Sequence, residues 1–86
     1  MPQIGHHQIV CGEVVRLLRQ ERKRRKLSCY AVSQRSGVSQ SMLSLVERGL
    51  RNPTLELLLR IADGLEIDLS FVLKKAQMPT PKSKKK

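Results

Sequence analysis

The chain has 86 residues, a mass of 9.8 kDa and a net charge of +10, with 17 Lys and Arg against 7 Asp and Glu. A chain of this size forms one small domain, and a deep catalytic cleft usually needs more scaffold than that. No apolar run reaches the roughly 18 residues that a bilayer-spanning helix needs, and the N-terminus lacks the basic-then-apolar pattern of a signal peptide. We therefore expect a cytoplasmic protein with no membrane partner.

Positive charge is concentrated in two segments of the chain. Residues 16–26 carry seven basic residues and one acid, and residues 82–86 carry four lysines. A concentrated basic excess attracts polyanions, nucleic acid before an anionic membrane surface. Charge runs also keep proteins in solution, so this observation alone favours nucleic acid as the ligand without excluding the simpler interpretation.

Few side chains are suited to catalysis or metal binding. The two cysteines, Cys11 and Cys29, form no CxxC motif, and the two histidines are neighbours near the N-terminus. A zinc site needs about four ligands at suitable spacing, and acid–base or nucleophilic catalysis needs groups arranged in pairs. We therefore expect no metal, no cofactor and no enzymatic activity, and we interpret both cysteines as small buried or half-buried apolar groups.

The composition divides the chain into an arm, a helical domain and a tail. Residues 1–9 are polar and unpatterned, which predicts a flexible N-terminal arm. Residues 77–86 are rich in lysine and proline, which predicts a disordered basic tail. The ordered domain is expected over 10–76, and its core must be aliphatic because aromatic residues make up 2% of the chain.

Five short helices are expected in the domain, and no segment shows the alternation of a β-strand. The first begins with apolar residues at helical spacing from Val10 and runs to Lys26. Capping residues precede the other four, which are expected over 29–36, 40–48, 55–65 and 69–75. The predicted fold class is an all-α, compact five-helix bundle.

Residues 28–49 have the pattern of a helix-turn-helix. Two short helices are joined by a tight turn at Gly37, and Val38 is expected to anchor that turn in the core. Ser33 is small at the point where the two helices must approach each other closely. In such motifs the second helix enters the major groove of DNA with its N-terminal residues at the base edges.

The second helix of the motif carries the candidate base contacts. The amide of Gln40 can pair with adenine through two hydrogen bonds, and Leu45 can touch the methyl group of thymine. Ser41 and Ser44 can donate or accept hydrogen bonds but discriminate poorly between bases. The alternative for all four is a solvated helix face, and for Ser44 the two interpretations have equal weight.

The sequence resembles the Cro/repressor-type, or XRE-like, helix-turn-helix family over about residues 13–73. The resemblance lies in Arg19-Gln20-Glu21-Arg22, Leu27-Ser28, Gly37-Val38-Ser39, Glu47-Arg48-Gly49 and Asn52-Pro53-Thr54, followed by a leucine-rich helix and Ile67-Asp68-Leu69. It implies a lambda repressor-like domain that binds specific DNA sequences and regulates transcription, commonly as a dimer. Two positions depart from the family: Cys29 stands where similar proteins often have Gln, and Lys26 where Gly often ends the first helix.

Phosphate contacts are expected from the starts of helices and from the flanks of the recognition helix. Backbone N–H groups at the starts of the second and fourth helices are suited to anions, and the resemblance implies contacts from the segment after the third helix. The expected set is Cys29, Ser39, Arg35, Arg48, Arg51, Asn52 and Thr54. The basic run at 22–26 either follows DNA phosphates or is simply solvated.

Two further roles come from the resemblance. Arg22 and Glu47 are expected to form a partly buried structural ion pair between the first and third helices. Similar proteins dimerise through their last helices, which implies a homodimer through Leu69, Phe71 and Val72 on two half-sites of a palindromic operator. The alternative is that Phe71 merely closes the core of the monomer.

Three functions are consistent with these features. The leading one is a sequence-specific transcriptional regulator of double-stranded DNA, either a repressor or a controller protein of a mobile or restriction–modification locus. The second is an antitoxin-like protein that binds DNA and neutralises a partner protein. The third is a nucleic-acid-binding module without sequence preference, attached through its basic surface.

Overall fold

A computed structural model describes residues 6–77 of the chain, which form five α-helices. In chain order they are α1 (His6–Arg24), α2 (Cys29–Ser36), α3 (Gln40–Glu47), α4 (Leu55–Leu65) and α5 (Leu69–Gln77). The described residues include no β-strand. The predicted all-α, five-helix architecture is therefore confirmed.

The ends of the helical region differ from the prediction. The first helix begins at His6, so the arm expected over 1–9 does not extend to residues 6–9. Nothing in this segment breaks a helix, and adding residues to an existing helix is far easier than nucleating one. The first helix also ends at Arg24 rather than at Lys26. The last helix ends at Gln77, two residues beyond its expected end at 75 and one beyond the expected end of the domain at 76. The rest of the arm and residues 78–86 of the tail lie outside the described residues.

Side-chain caps fix where three of the helices begin. The hydroxyl oxygens of Ser28, Ser39 and Thr54 each accept a hydrogen bond from the backbone N–H of the third residue of the following helix, at 3.0, 3.1 and 3.1 Å. Each bond satisfies a donor that has no partner within the helix itself. These residues begin α2, α3 and α4 at the expected positions.

The turn after α1 is closed by a residue with positive φ. Lys26 has φ 58°, its N–H donates to the Lys23 carbonyl, and the N–H of Leu27 donates to the Arg22 carbonyl. Glycine adopts this backbone region without the cost that a side chain brings. The departure noted in the sequence therefore places a lysine in a strained left-handed conformation.

The core is aliphatic and lies where α1 and α4 meet α2, α3 and α5. Its most buried side chains are Val14, Val32, Leu43, Val46 and Leu65. Both aromatic residues of the chain remain outside it, because Tyr30 is 59% exposed and Phe71 64% exposed. The core therefore depends on close helix approach rather than on large side chains.

The two cysteines differ in burial. Cys29 is half-buried as expected, but Cys11 is exposed, so the prediction for Cys11 was wrong. In α1 the buried side chains are Val10, Val14, Leu17 and Leu18. Leu18 stands seven residues after Cys11 and so on nearly the same side of the helix. The exposure of Cys11 therefore comes from its place near the start of α1, not from its side of the helix.

Helices α2 and α4 pack tightly against each other at Gly64. A Cβ added at this residue would lie 2.9 Å from the Ser36 Cβ and 3.2 Å from the Ser36 nitrogen. Gly64 and Ser36 are both buried. A side chain at Gly64 would therefore push α4 away from the helix that leads into the turn before α3.

We predict that Gly64→Ala lowers the free energy of unfolding by about 1–3 kcal/mol, the usual cost of overpacking a core. Gly12→Ala is the matched control, because a Cβ at Gly12 meets nothing within 4 Å. That substitution should be neutral or should stabilise α1 by up to about 1 kcal/mol. Urea titrations of both variants measure the difference, and equal effects of the two would contradict the proposed close contact.

Candidate nucleic-acid interface

Helix α3 presents one side to the core and the other to solvent. Leu43 and Val46 are 1% and 2% exposed and belong to the buried side. The opposite side, which we call the outer face, consists of the four candidate base contacts: Gln40, Ser41, Ser44 and Leu45. The first two are exposed and the last two are half-buried. All four therefore keep surface open for a ligand.

The turn before α3 is held by short-range hydrogen bonds. Gly37 has φ 78° and its N–H donates to the Ser33 carbonyl at 3.0 Å. The N–H of Val38 donates to the buried hydroxyl of Ser36 at 3.1 Å. Val38 is 5% exposed, so the turn is anchored in the core as expected. These contacts fix the direction in which α3 leaves α2.

The end of α3 is tied to α1 by an ion pair. Arg22 donates from Nε to Glu47 Oε2 at 2.8 Å and from Nη2 to Glu47 Oε1 at 2.9 Å, while its Nη1 donates to the Leu27 carbonyl at 2.9 Å. The two side chains are 13% and 11% exposed. The hydrogen bonds to Glu47 raise the pKa of the Arg22 guanidinium above its ordinary value. Arg22 thus joins α1, the turn after it and α3 through a two-pronged, charge-assisted contact.

Two other side chains adjoin this pair. Arg19 Nε lies 3.7 Å from Glu47 Oε1, and Cys29 Sγ lies 3.9 Å from the same oxygen. Arg19 belongs to the segment 19–22 that carries the family resemblance but was given no role from the sequence. It stands three residues before Arg22 and so on the same side of α1. The first turn of α2 therefore lies beside the last turn of α3.

The expected phosphate contacts are mostly exposed and lie at the ends of helices. Of the seven, Cys29 is half-buried, and the other six are exposed: Ser39, Arg35, Arg48, Arg51, Asn52 and Thr54. Arg48 follows the last residue of α3, and Arg51 and Asn52 lie in the loop that joins α3 to α4. Arg35 is about 9 Å along the α2 axis from Cys29, at 1.5 Å per residue, so these two residues lie at opposite ends of α2.

The basic run at 22–26 is partly occupied by contacts within the protein. Arg24 and Arg25 both pair with Glu21, at 3.0 and 3.1 Å, and their hydrogen bonds hold the pKa of the Glu21 carboxyl below its ordinary range. Arg25 also donates to the Leu65 carbonyl at 2.8 Å, which links the turn after α1 to the end of α4. With Arg22 bound to Glu47, three of the run's five cations make structural contacts.

Two of the three residues expected at the dimer interface are in the core. Leu69 and Val72 are each 4% exposed, so the prediction was wrong for both. They stand three residues apart on α5, which turns them together toward the core. Phe71 is exposed on the other side of α5, with Lys75 Nζ 6.0 Å from the centre of its ring. Further exposed apolar side chains lie on α4, at Leu55 and Leu59.

Neither a membrane span nor a metal centre is found among residues 6–77. No helix there is long and apolar enough to cross a bilayer. His, Cys, Asp and Glu side chains of the same residues form no group of three that could hold a metal ion.

The five helices, the tight turn before α3 and the outer face of α3 define a helix-turn-helix domain. The chain belongs to the helix-turn-helix family, whose sequence profile matches residues 18–72. The match begins within α1 and ends within α5, so it covers the whole motif and most of its supporting helices. The resemblance to this family is therefore confirmed.

Two relatives match the chain at the same identity over the same length. It is 36% identical over 64 residues to an uncharacterized HTH-type transcriptional regulator of Mycobacterium tuberculosis, covering 74% of this chain and 46% of the relative. It is also 36% identical over 64 residues to the HTH-type transcriptional regulator SutR of Escherichia coli, covering 74% of this chain and 36% of that protein. The matched region thus spans less than half the length of either relative.

A solved structure shares the fold. The crystal structure of a single-residue mutant of the restriction–modification controller protein C.Esp1396I superposes with a TM-score of 0.72. The similarity covers 78% of this chain and 87% of the controller protein, at 21% sequence identity. At that identity the comparison supports the arrangement of the helices and nothing more specific.

We predict that Glu47→Ala lowers the free energy of unfolding by about 2–4 kcal/mol, because it leaves the partly buried Arg22 without its carboxylate. Glu56→Ala is the matched control. Glu56 Oε2 lies 2.9 Å from Arg60 Nη2, but the Glu56 and Arg60 side chains are 74% and 52% exposed. The free energy of unfolding should therefore fall by less than about 0.5 kcal/mol. Urea titrations measure both, and a Glu47→Ala variant as stable as the control would contradict the structural role.

Proposed function

We propose that the protein is a sequence-specific regulator of transcription that binds double-stranded DNA and inserts α3 into the major groove. The observation that carries this proposal is the outer face of α3, which is polar, solvent-accessible and flanked by the exposed Arg48 and Arg51. The direction of α3 is fixed by the Ser39 cap, the Gly37 turn and the Arg22–Glu47 pair. These contacts hold the outer face in one orientation, as a recognition helix requires. The names of the relatives, which are regulators rather than enzymes, support the same class.

Each outer-face residue has a chemical role in this proposal. Gln40, in the first turn of α3, pairs its amide with adenine. Ser41 and Ser44 bond to base edges or to bridging water with little discrimination. Leu45 meets a thymine methyl group. Base contacts of this kind supply specificity, while affinity comes mainly from phosphate contacts.

The proposed phosphate contacts surround α3. The first N–H groups of α2, next to Cys29, and of α4, next to Thr54, are suited to phosphate oxygens because they lack partners within their helices. Arg48 and Arg51 add charge and Asn52 adds an amide donor on the side where α3 ends. Ser39 and Arg35 contribute phosphate contacts beside the turn where α3 begins. Lysines at 82–86 would add affinity that does not depend on sequence.

We further propose that the protein binds DNA as a homodimer through a groove between α4 and α5. This leucine groove is lined by Leu55, Leu59 and Leu73, and its only charged lining groups are Asp63 and Asp68. The groove beside Phe71 is lined by six charged side chains: Glu21, Arg24, Arg25, Glu66, Asp68 and Lys75. Removing many charges from water is costly, so the leucine groove is the better interface.

The dimer proposal predicts different effects of one charge at two places. Leu59→Glu should give a monomer in analytical ultracentrifugation at concentrations where the unaltered protein is dimeric, because an unpaired carboxylate would be buried. Phe71→Glu is the control and should leave the dimer intact. If the unaltered protein stays monomeric at high micromolar concentration, the dimer is excluded; if Phe71→Glu alone dissociates it, the interface lies on the other side of α5.

Selection of binding sites from random duplexes at about 150 mM salt tests the function itself. The expected winner is a palindrome with half-sites about 10–10.5 base pairs apart, bound at least ~10³-fold more tightly than scrambled DNA. Gln40→Ala should then lose its preference at one base pair of each half-site, whereas Gln34→Ala, an exposed amide on α2, should keep the full consensus.

The net charge of +10 favours one alternative, a nucleic-acid-binding module without sequence preference. That function predicts no consensus, equal affinity for random DNA and RNA, and binding that collapses as salt rises. This combination of results in the selection experiment would contradict the proposed regulator.

A further inference from the structure

The outer face of α3 carries no cationic side chain. The helix has a single charged residue, Glu47, and that carboxylate is bound to Arg22. The cations nearest in the chain, Arg48 and Arg51, come after the helix has ended. The groups that α3 offers to base edges are therefore one amide, two hydroxyls and one apolar side chain.

These groups match A·T base pairs better than G·C pairs. Guanine is recognised most often by the paired donors of Arg or Lys, and cytosine by a carboxylate. Adenine pairs with the amide of Gln or Asn, and thymine carries a methyl group that apolar side chains contact. The face thus has a specific partner for adenine and for thymine, and none for guanine or cytosine.

Leu45 is the outer-face side chain suited to the methyl contact. It is half-buried, unlike its core neighbours in α3, so part of its apolar surface stays open. Leu50, in the turn that ends α3, is 63% exposed, and its N–H donates to the Leu45 carbonyl at 2.9 Å. Two leucines with open surface therefore stand at the C-terminal end of the outer face, where a purely solvated helix would favour polar side chains.

We propose that the protein recognises A·T-rich half-sites, and that the 5-methyl group of one thymine, packed against Leu45, is a main determinant of its specificity. The inference rests on the proposed function, since it names the base pairs that the outer face of α3 accepts.

The test uses the full chain and its selected duplex, with thymines replaced one at a time by deoxyuridine. This replacement removes only the methyl group. Burial of one methyl group corresponds to about a fourfold change in affinity. The unaltered protein should therefore bind about fourfold more weakly when one particular thymine of either half-site is replaced, and equally well when any other thymine is replaced.

Variants of the protein assign the effect to Leu45. Leu45→Ala should bind thymine and deoxyuridine duplexes equally, whereas Gln34→Ala, on α2 and outside the outer face, should keep the fourfold difference. Circular dichroism checks that each variant is folded, and if Leu45→Ala is not, Leu45→Gln serves in its place because it keeps the size of the side chain and removes the apolar contact.

The outcomes of the selection and deoxyuridine experiments distinguish failure of this inference from failure of the proposed function. If selection gives no consensus, the proposed regulator fails and the inference with it. If it gives a clear consensus with guanine at the positions that respond to α3 substitutions, or one whose deoxyuridine duplexes all bind as well as the thymine duplex, the function stands and the thymine-methyl inference is overturned.

Discussion

The arrangement of the site depends on the contact between Arg22 and Glu47. Three hydrogen bonds from one guanidinium join α1, the turn after α1 and the last turn of α3. A planar fork of donors matches a carboxylate in one orientation, so the contact fixes direction as well as distance. Helix α3 is only eight residues long, and so short a helix is held in place by tertiary contacts rather than by its own stability. Without this contact, the last turn of α3 would keep the apolar packing of Val46 in the core but would lose its hydrogen bonds to α1.

The charged side chains of this protein are of two kinds: those bound to other groups within the fold, and those open to a ligand. Arg22 and Arg24 of α1, and Arg25 directly after it, are bound to acids or to a carbonyl of α4. The basic run in the sequence therefore overstates the charge that a ligand can meet. The outer face of α3 is itself uncharged, and the cations that flank it follow its C-terminus. Specificity and affinity are thus assigned to different side chains, which is the usual division in DNA recognition.

Local features of the sequence predicted the motif well, whereas tertiary orientation was harder to predict. Ser28, Ser39 and Thr54 mark helix starts through bonds within four residues, so their positions were readable directly. The start of α1 had no cap or breaker to mark it. Whether Leu69 faces the core or a partner depends on how α5 packs against α1, and the sequence holds no local record of that packing. For the same reason the bond from Arg25 to a carbonyl of α4 was not foreseen.

The most direct test of the central claim is an NMR titration of the isotope-labelled protein with its selected duplex, following each backbone amide. We expect the largest chemical-shift changes in α3, in the loop after it and at the first turns of α2 and α4. Amides along the exposed side of α1 should change little. Large shifts confined to the basic run at 22–26, with the outer face of α3 unaffected, would contradict the assignment of α3 as the recognition helix.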